Sequence, residues 1–334
     1  MKSGEILATW LGDGARQRRT HGVAMDFVGR WARRPLFEDL DRELDGGGGA
    51  SVERVLAAAG RFMDRRAELD LLIAELIAAA KSDAFFAPPL QMLTSEISSG
   101  FAIYTHPALT LTLSVMSVDG LAAKRVAAAA PSSLTFGGRP MLYEFVRSGG
   151  ATISLWEIPP IAAQFVADDS GRCVLRERRS IADGERILID GRRESFVIEH
   201  ASSDLVFLTA AAQLEAAPVT VEYDSRTLLF AGASSNDEAA SRIQMMVTML
   251  RLMEREDAVP LFEQLLDSPA FFTRWHVMRE YLALDAEAAL PGLRRMAERD
   301  PHPEVRAAAA QTLAAFFDEE PPVNDTEEDR LCRA

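Results

Sequence analysis

A repeat of 32 residues in the last third of the chain constrains the fold more than any other feature. Arg242, Arg274 and Arg306 lie one period apart, and Leu250 and Leu282 recur at the same spacing. A single helical hairpin cannot bury its apolar face alone, so a repeat of this length is typical of hairpins stacked in a solenoid. The pattern therefore predicts that the chain ends in a short helical solenoid.

The last repeat carries the clearest family signal. The segment Asp300-Pro301-His302-Pro303-Glu304-Val305-Arg306-Ala307-Ala308-Ala309 resembles the second helix of a HEAT repeat. This resemblance implies a stack of HEAT-like hairpins over about residues 236–317. Stacks of that kind most often bind another macromolecule, so the resemblance also implies an interaction surface.

The first part of the chain is predicted to be helical. Ser51 is placed to cap a helix, because apolar residues recur at helical spacing directly after it. An earlier helix is broken or restarted at Pro35, since proline cannot continue a helix. The glycine run at 46–49 lies between these helices and is predicted to be a flexible linker.

Short apolar runs separated by turn residues fill the middle of the chain. Eight or nine such runs lie between about residues 101 and 231, and some alternate strictly, as in Val219–Tyr223. Dipeptides such as Asp183-Gly184 and Asp190-Gly191 mark turns between them. No helical period interrupts the runs, so the pattern predicts an antiparallel β sandwich or barrel.

The strand rhythm of residues 183–200 resembles a cupin-type double-stranded β-helix. Metal-binding cupins hold their metal through several imidazoles and a carboxylate, because borderline metals need nitrogen donors at fixed geometry. This region has only His106 and His200, and the chain contains no His-x-His pair. The resemblance therefore implies the fold alone, and we predict no bound metal and no cofactor.

Together these patterns predict an α+β multidomain protein. Its expected parts are an N-terminal helical segment (1–87), a cupin-like β sandwich or barrel (88–235), HEAT-like helical repeats (236–318) and a disordered acidic tail (319–334).

The net charge and the spacing of the cysteines bear on the expected partners and cellular location. The formal net charge of −14 argues against binding to nucleic acid, because phosphate contacts need a cationic surface. No apolar run is long enough to span a membrane. Cys173 and Cys332 lie too far apart to suggest a disulfide framework or a zinc site. A reducing, cytoplasmic location is therefore expected.

The arginines of the repeat are the first candidate binding residues. In HEAT stacks such arginines commonly bond the aspartates of neighbouring turns, which implies Asp267 and Asp300 as partners. Alternatively, Arg242, Arg274 and Arg306 form a concave face that binds anions or a partner protein.

Two sets of aromatic and charged residues complete the candidates. Phe272 and Trp275 open the middle repeat and cover more than one helical face, so they either pack in the core or anchor a partner. Side chains in the β region that would line a ligand pocket at a barrel mouth are Arg147, Trp156, Arg176 and Tyr223.

No catalytic motif stands out; no serine, for example, lies in a Gly-x-Ser-x-Gly turn. The sequence therefore favours a non-catalytic adaptor or regulator that binds a protein or peptide through its HEAT-like stack. The alternative is an enzyme or small-molecule sensor with its site inside the β module. A homodimer is left open, since cupin-like modules often pair.

Overall fold

The computed structural model describes residues 3–46, 51–88, 90–127 and 133–317. The chain divides into two compact units. Unit 1 is Met1–Ala162 with Ser170–Ser234, and unit 2 is Ala163–Asp169 with Ser235–Ala334. None of the described helices is long and apolar enough to cross a membrane. The predicted order of N-terminal helices, antiparallel strands and C-terminal helices is confirmed. The predicted tail at 319–334 and most of the glycine linker lie outside the described residues.

Five helices open unit 1, and two local signals in the sequence position them as predicted. The helices are α1 (Ser3–Leu11), α2 (Gly14–Ala32), α3 (Pro35–Asp45), α4 (Val52–Asp64) and α5 (Arg66–Ser82). Pro35 begins α3, and the Ser51 hydroxyl oxygen caps α4 by accepting the N–H of Arg54 at 3.3 Å. Phe62 of α4 and Leu69 of α5 share one hydrophobic core with strand residues of the same unit.

The strands of unit 1 form three open sheets. They are β1 (Met92–Thr94), β2 (Ser98–His106), β3 (Leu109–Met116), β4 (Ser133–Phe136), β5 (Pro140–Arg147), β6 (Thr152–Glu157), β7 (Val174–Ser180), β8 (Arg186–Asp190), β9 (Glu194–His200), β10 (Leu205–Ala212), β11 (Val219–Asp224) and β12 (Phe230–Ser235). The sheet orders are β1-β2-β3-β10-β5-β8, β12-β11-β4 and β7-β6-β9. The strand pairs whose register is described run antiparallel, as predicted, but no sheet closes into a barrel.

One feature of this region differs from the sequence prediction, and one glycine in it is required by strand packing. The expectation that no helix interrupts the strands is wrong, because α6 (Val118–Ala127) follows β3. Its Leu-Ala-Ala-Lys run, 121–124, consists of strong helix formers. Gly100 lies inside β2. A Cβ at Gly100 would lie 2.4 Å from the carbonyl oxygen of Leu113 in the paired strand β3, so this close approach requires glycine.

Five helices build the stack in unit 2. They are α7 (Glu238–Leu252), α8 (Val259–Leu265), α9 (Phe271–Leu284), α10 (Ala286–Arg299) and α11 (Pro303–Phe316). Each helix contributes to one core, and the most buried contributors include Val247, Phe262, Val277, Leu293 and Ala309. This shared core is what the 32-residue repeat predicts, since each hairpin buries its apolar face against its neighbours.

A short segment between β6 and β7 also belongs to unit 2. The segment is Ala163–Asp169, and it lies against the start of α11. The His302 side chain donates from Nε2 to the carbonyl oxygen of Phe165 at 2.9 Å, and its ring stacks on Phe271 with centroids 3.9 Å apart. The N–H of Ala167 donates to the Glu304 carboxylate at 2.5 Å. The stack is therefore assembled from two separate stretches of sequence.

Candidate functional site

The middle arginine of the repeat is buried in an ion pair. Arg274 is 6% exposed, and its Nε and Nη2 donate to the two carboxylate oxygens of Asp300 at 2.8 and 2.7 Å. Its Nη1 donates to the carbonyl oxygen of Ser268 at 2.9 Å. Asp267, the other expected partner, lies near an arginine of α10 instead. Arg274 thus links the α8–α9 turn to the α10–α11 turn.

The other two arginines of the repeat have different surroundings. Arg306 donates from Nη1 to the carbonyl oxygen of Asp300 at 2.5 Å. It corresponds to the bond from Arg274 to the carbonyl oxygen of Ser268, since each arginine donates to the carbonyl six residues before it. Arg242 is exposed and pairs with Glu238, one turn earlier in the same helix. The residue that corresponds to Asp300 one period earlier is Ser268. Arg242 therefore has no carboxylate at the position where Arg274 finds Asp300. The three arginines therefore have three different environments, and their role in binding a partner stays a prediction.

The aromatic candidates are only partly exposed. Trp275 packs against the core of the stack. Phe272 contacts Phe271, with ring centroids 5.2 Å apart, and its carbonyl oxygen accepts a hydrogen bond from Gln244 at 3.2 Å. Their role as partner anchors stays a prediction.

A large apolar surface lies on α7, on the side of the helix opposite the core. Its five side chains are 58–66% exposed, and we call them the methionine face: Met245, Met246, Met249, Leu252 and, directly after the helix, Met253. Val247, on the other side of α7, is buried in the stack. Since a helix turns once every 3.6 residues, the positions 245, 249 and 252 form a continuous stripe.

In α9, the helix one period later, the corresponding positions are covered. The residues one period apart are Met245 and Val277, Met246 and Met278, and Met249 and Tyr281. The three residues of α9 are 0–1% exposed, whereas their counterparts in α7 are more than half exposed. Positions that are packed by helices in the middle of the stack are therefore open at its first helix.

The chemistry of this surface suits binding rather than catalysis. Methionine is unbranched and polarisable, so it adapts to partners of different shape. A contiguous exposed apolar patch commonly marks an interaction site. The sequence contained a signal for it that we did not use, since four of the twelve methionines lie within residues 245–253.

The proposed ligand-pocket residues of the β region are only partly brought together. Trp156 and Arg176 line one cleft of about 410 Å³ in unit 1, together with Glu194, which lies 3.1 Å from Arg176 Nη1. Arg147 is exposed outside this cleft. Tyr223 is buried, and its hydroxyl donates to the carbonyl oxygen of Ser170 at 2.6 Å. The structure thus joins two of the four candidates.

Two further side chains of unit 1 bear on catalysis and metal binding. Cys173 is buried, and burial raises the pKa of its thiol to about 11, so it is protonated at neutral pH as expected of a core residue. His106 lies 3.2 Å from the carboxylate of Asp45. Within the described ranges, no three His, Cys, Asp or Glu residues are grouped so that they could hold a metal ion. The absence of a metal and a cofactor stays a prediction.

The C-terminal unit is a stack of HEAT-like helical repeats. Residues 227–314 match the family model for HEAT repeats, which confirms the resemblance seen in the sequence. A search of curated proteins gives no match.

Several solved structures are similar to part of the chain at low identity. An ectoine synthase from P. lautus is 9% identical over 36% of this chain and 68% of its own, with a TM-score of 0.23. A cupin domain from Bordetella pertussis Tohama I is 10% identical over 36% of this chain and 97% of its own, with a TM-score of 0.22. The polyketide cyclase RemF from Streptomyces resistomycificus is 11% identical over 45% of this chain and 81% of its own, with a TM-score of 0.23.

Proposed function

We propose that this chain is a non-catalytic adaptor that binds a protein partner through its helical stack, with the methionine face as the contact surface. The observation that supports this most is the exposure of five large apolar side chains on one side of α7. Covering such a surface removes apolar area from water, which is the main driving force of protein association.

The shape and charge of the surface indicate the class of partner. A small molecule needs a concave pocket that buries most of its surface, whereas the side of a single helix is convex. Nucleic acid is disfavoured by the net charge of −14. A protein can cover the whole stripe at once. We further propose a cytoplasmic location, because the spacing of the two cysteines suits a reducing compartment.

The double substitution Met245→Gln with Met249→Gln is expected to weaken partner binding by about 2 kcal/mol or more, which is roughly a thirtyfold change in Kd. Both side chains are more than half exposed, so the melting temperature should stay close to that of the unchanged protein. The control is Met25→Gln, which alters a methionine that is 51% exposed on α2. Calorimetric titration and a thermal melt provide the two measurements.

The partner for this titration is found by placing a photoreactive amino acid at position 249, with position 25 as the control, and sequencing the crosslinked peptides. We expect a defined partner peptide from position 249 alone. Crosslinks to the same proteins from both positions would contradict the proposal, as would unchanged affinity in the double variant.

A small-molecule sensor in unit 1 is the second candidate, and the cleft at Trp156 and Arg176 favours it. The guanidinium of Arg176 is already close to Glu194 and Glu157, at 3.1 and 3.3 Å. A ligand would have to compete with these ion pairs. If Trp156→Ala abolishes partner capture while the methionine substitutions do not, unit 1 holds the functional site.

A further inference from the structure

Inside the stack, helices cover the positions that correspond to the methionine face. Tyr281 lies one period after Met249, and its ring packs against Phe262 of α8 with centroids 5.7 Å apart. Its hydroxyl also lies 3.4 Å from the carboxylate of Glu263 in the same helix. The interface between α8 and α9 therefore shows what kind of element fits against these positions.

The same interface continues through α10. A Cβ at Gly292 of α10 would lie 2.9 Å from Leu266, just after α8, and 3.2 Å from Met278 of α9. Met278 is the counterpart of Met246. The three helices thus meet at close distance around the position that Met246 occupies in α7.

The two covering helices share a sequence pattern. In each of them an alanine is followed by large apolar residues four and seven positions later, and all six residues contact the core of the stack. The residues are Ala289, Leu293 and Met296 in α10, and Ala258, Phe262 and Leu265 at α8, where the alanine directly precedes the helix. A small first residue lets the covering helix approach closely at that end.

We infer that the partner element on the methionine face is a helix with this pattern, a small residue followed by large apolar residues at the fourth and seventh positions after it. The inference rests on the proposed function. Its basis is the interface between α8 and α9, in which α8 covers Tyr281. The corresponding position of α7, Met249, is exposed, so a further helix can pack there in the same way. The stripe of Met245, Met249 and Leu252 has steps of four and three residues, which match the steps of such a helix.

A second copy of the chain fits this surface less well. In another copy, the α8 and α10 residues with the pattern are already packed in that copy's own stack. If the α7 helix of a second copy packed on the methionine face, its Met245 would take the position that alanine takes in α8 and α10. The small residue that allows close approach would then be missing.

The chain itself supplies a probe for this inference. A fluorescent peptide of residues 285–299 includes Asp285, whose carboxylate accepts the N–H of Ala288 at 2.9 Å and caps the helix. Pro291 is replaced in it by alanine, because proline destabilises a helix interior and this residue is exposed in α10. The matched control peptide carries Leu293→Gln and Met296→Gln in addition.

Fluorescence anisotropy with the full chain gives the readout. The probe should bind saturably and at least tenfold more tightly than the control peptide. The Met245→Gln and Met249→Gln chain should bind the probe at least tenfold more weakly, whereas the Met25→Gln chain should bind it like the unchanged protein.

Equal binding of the two peptides would overturn the inference. Equal binding by the changed and unchanged chains would also overturn it, because the probe would then sit elsewhere, for example in place of α10. If the peptide does not bind but the methionine substitutions still abolish capture of the crosslinked partner, the helix pattern is wrong and the proposed function stands. A dimer in sedimentation that these substitutions convert to a monomer would identify a second copy as the occupant and refute the inference.

Discussion

Arg274→Ala is expected to lower the free energy of unfolding of the stack by about 3–5 kcal/mol. The substitution leaves the Asp300 carboxylate, which is 7% exposed, without the guanidinium that pairs with both of its oxygens. It also removes the donor to the carbonyl oxygens of Ser268 and Pro269. A buried charge that loses its partner costs far more than an exposed one, because water cannot replace the lost contact.

The repeat offers matched controls for this substitution. Arg242 lies one period earlier, is exposed and pairs with Glu238 of its own helix, so Arg242→Ala should change stability by about 0.5 kcal/mol or less. Arg306 donates to the main-chain carbonyl of Asp300, and Arg306→Ala should cost about 1 kcal/mol. Urea unfolding followed by circular dichroism measures all three. Equal midpoints for the Arg274 and Arg242 variants would show that the buried ion pair does not stabilise the stack.

Glu144→Ala is expected to lower the free energy of unfolding of unit 1 by about 1.5–3 kcal/mol, the range for lost hydrogen bonds to charged groups. Glu144 lies in β5, is 1% exposed and pairs with Arg66 of α5. It also accepts from Nε of Arg186 at 2.7 Å. Arg186 in turn bonds Asp64 at the end of α4, at 2.8 Å. Removing the carboxylate leaves the cations of Arg66 and Arg186 close together and removes the contact between β5 and α5, while Arg186 still bonds α4.

The matched control is Glu177→Ala, since Glu177 is an exposed glutamate of β7 that lies 3.8 Å from Arg179. This variant should unfold like the unchanged protein. Protease digestion adds a second readout, because loosening of α4 and α5 should speed cleavage within residues 52–82 of the Glu144 variant alone. Similar stability of the two variants would show that the buried carboxylate is dispensable.

Local signals in the sequence located several helix ends. The cap at Ser51 and the restart at Pro35 depend only on neighbouring residues, so they could be predicted from the chain alone. The 32-residue repeat predicted the solenoid for a related reason, since each unit contacts only its neighbours. The pairing of Arg274 with Asp300 is one that the resemblance to HEAT repeats implied.

The exposure of Met249 could not be predicted in the same way. Met249 and Tyr281 occupy corresponding positions, and both are large apolar or aromatic residues. Tyr281 is buried because α8 precedes it, whereas Met249 lies in the first helix of the stack. Burial therefore depends on what lies beside the helix, which is not a property of the local sequence. The same limit applies to Gly100, where the close approach of the paired strand β3 requires glycine.

The assembly of unit 2 from two stretches of sequence has a consequence during synthesis. Phe165 and Ala167 find their partners in His302 and Glu304, each 137 residues later in the chain. At translation rates of about 5–20 residues per second, roughly 7–27 seconds separate the appearance of the two halves. Throughout that interval the carbonyl oxygen of Phe165 and the N–H of Ala167 lack these partners, so the segment 163–169 can reach its folded position only after the start of α11 has been synthesised.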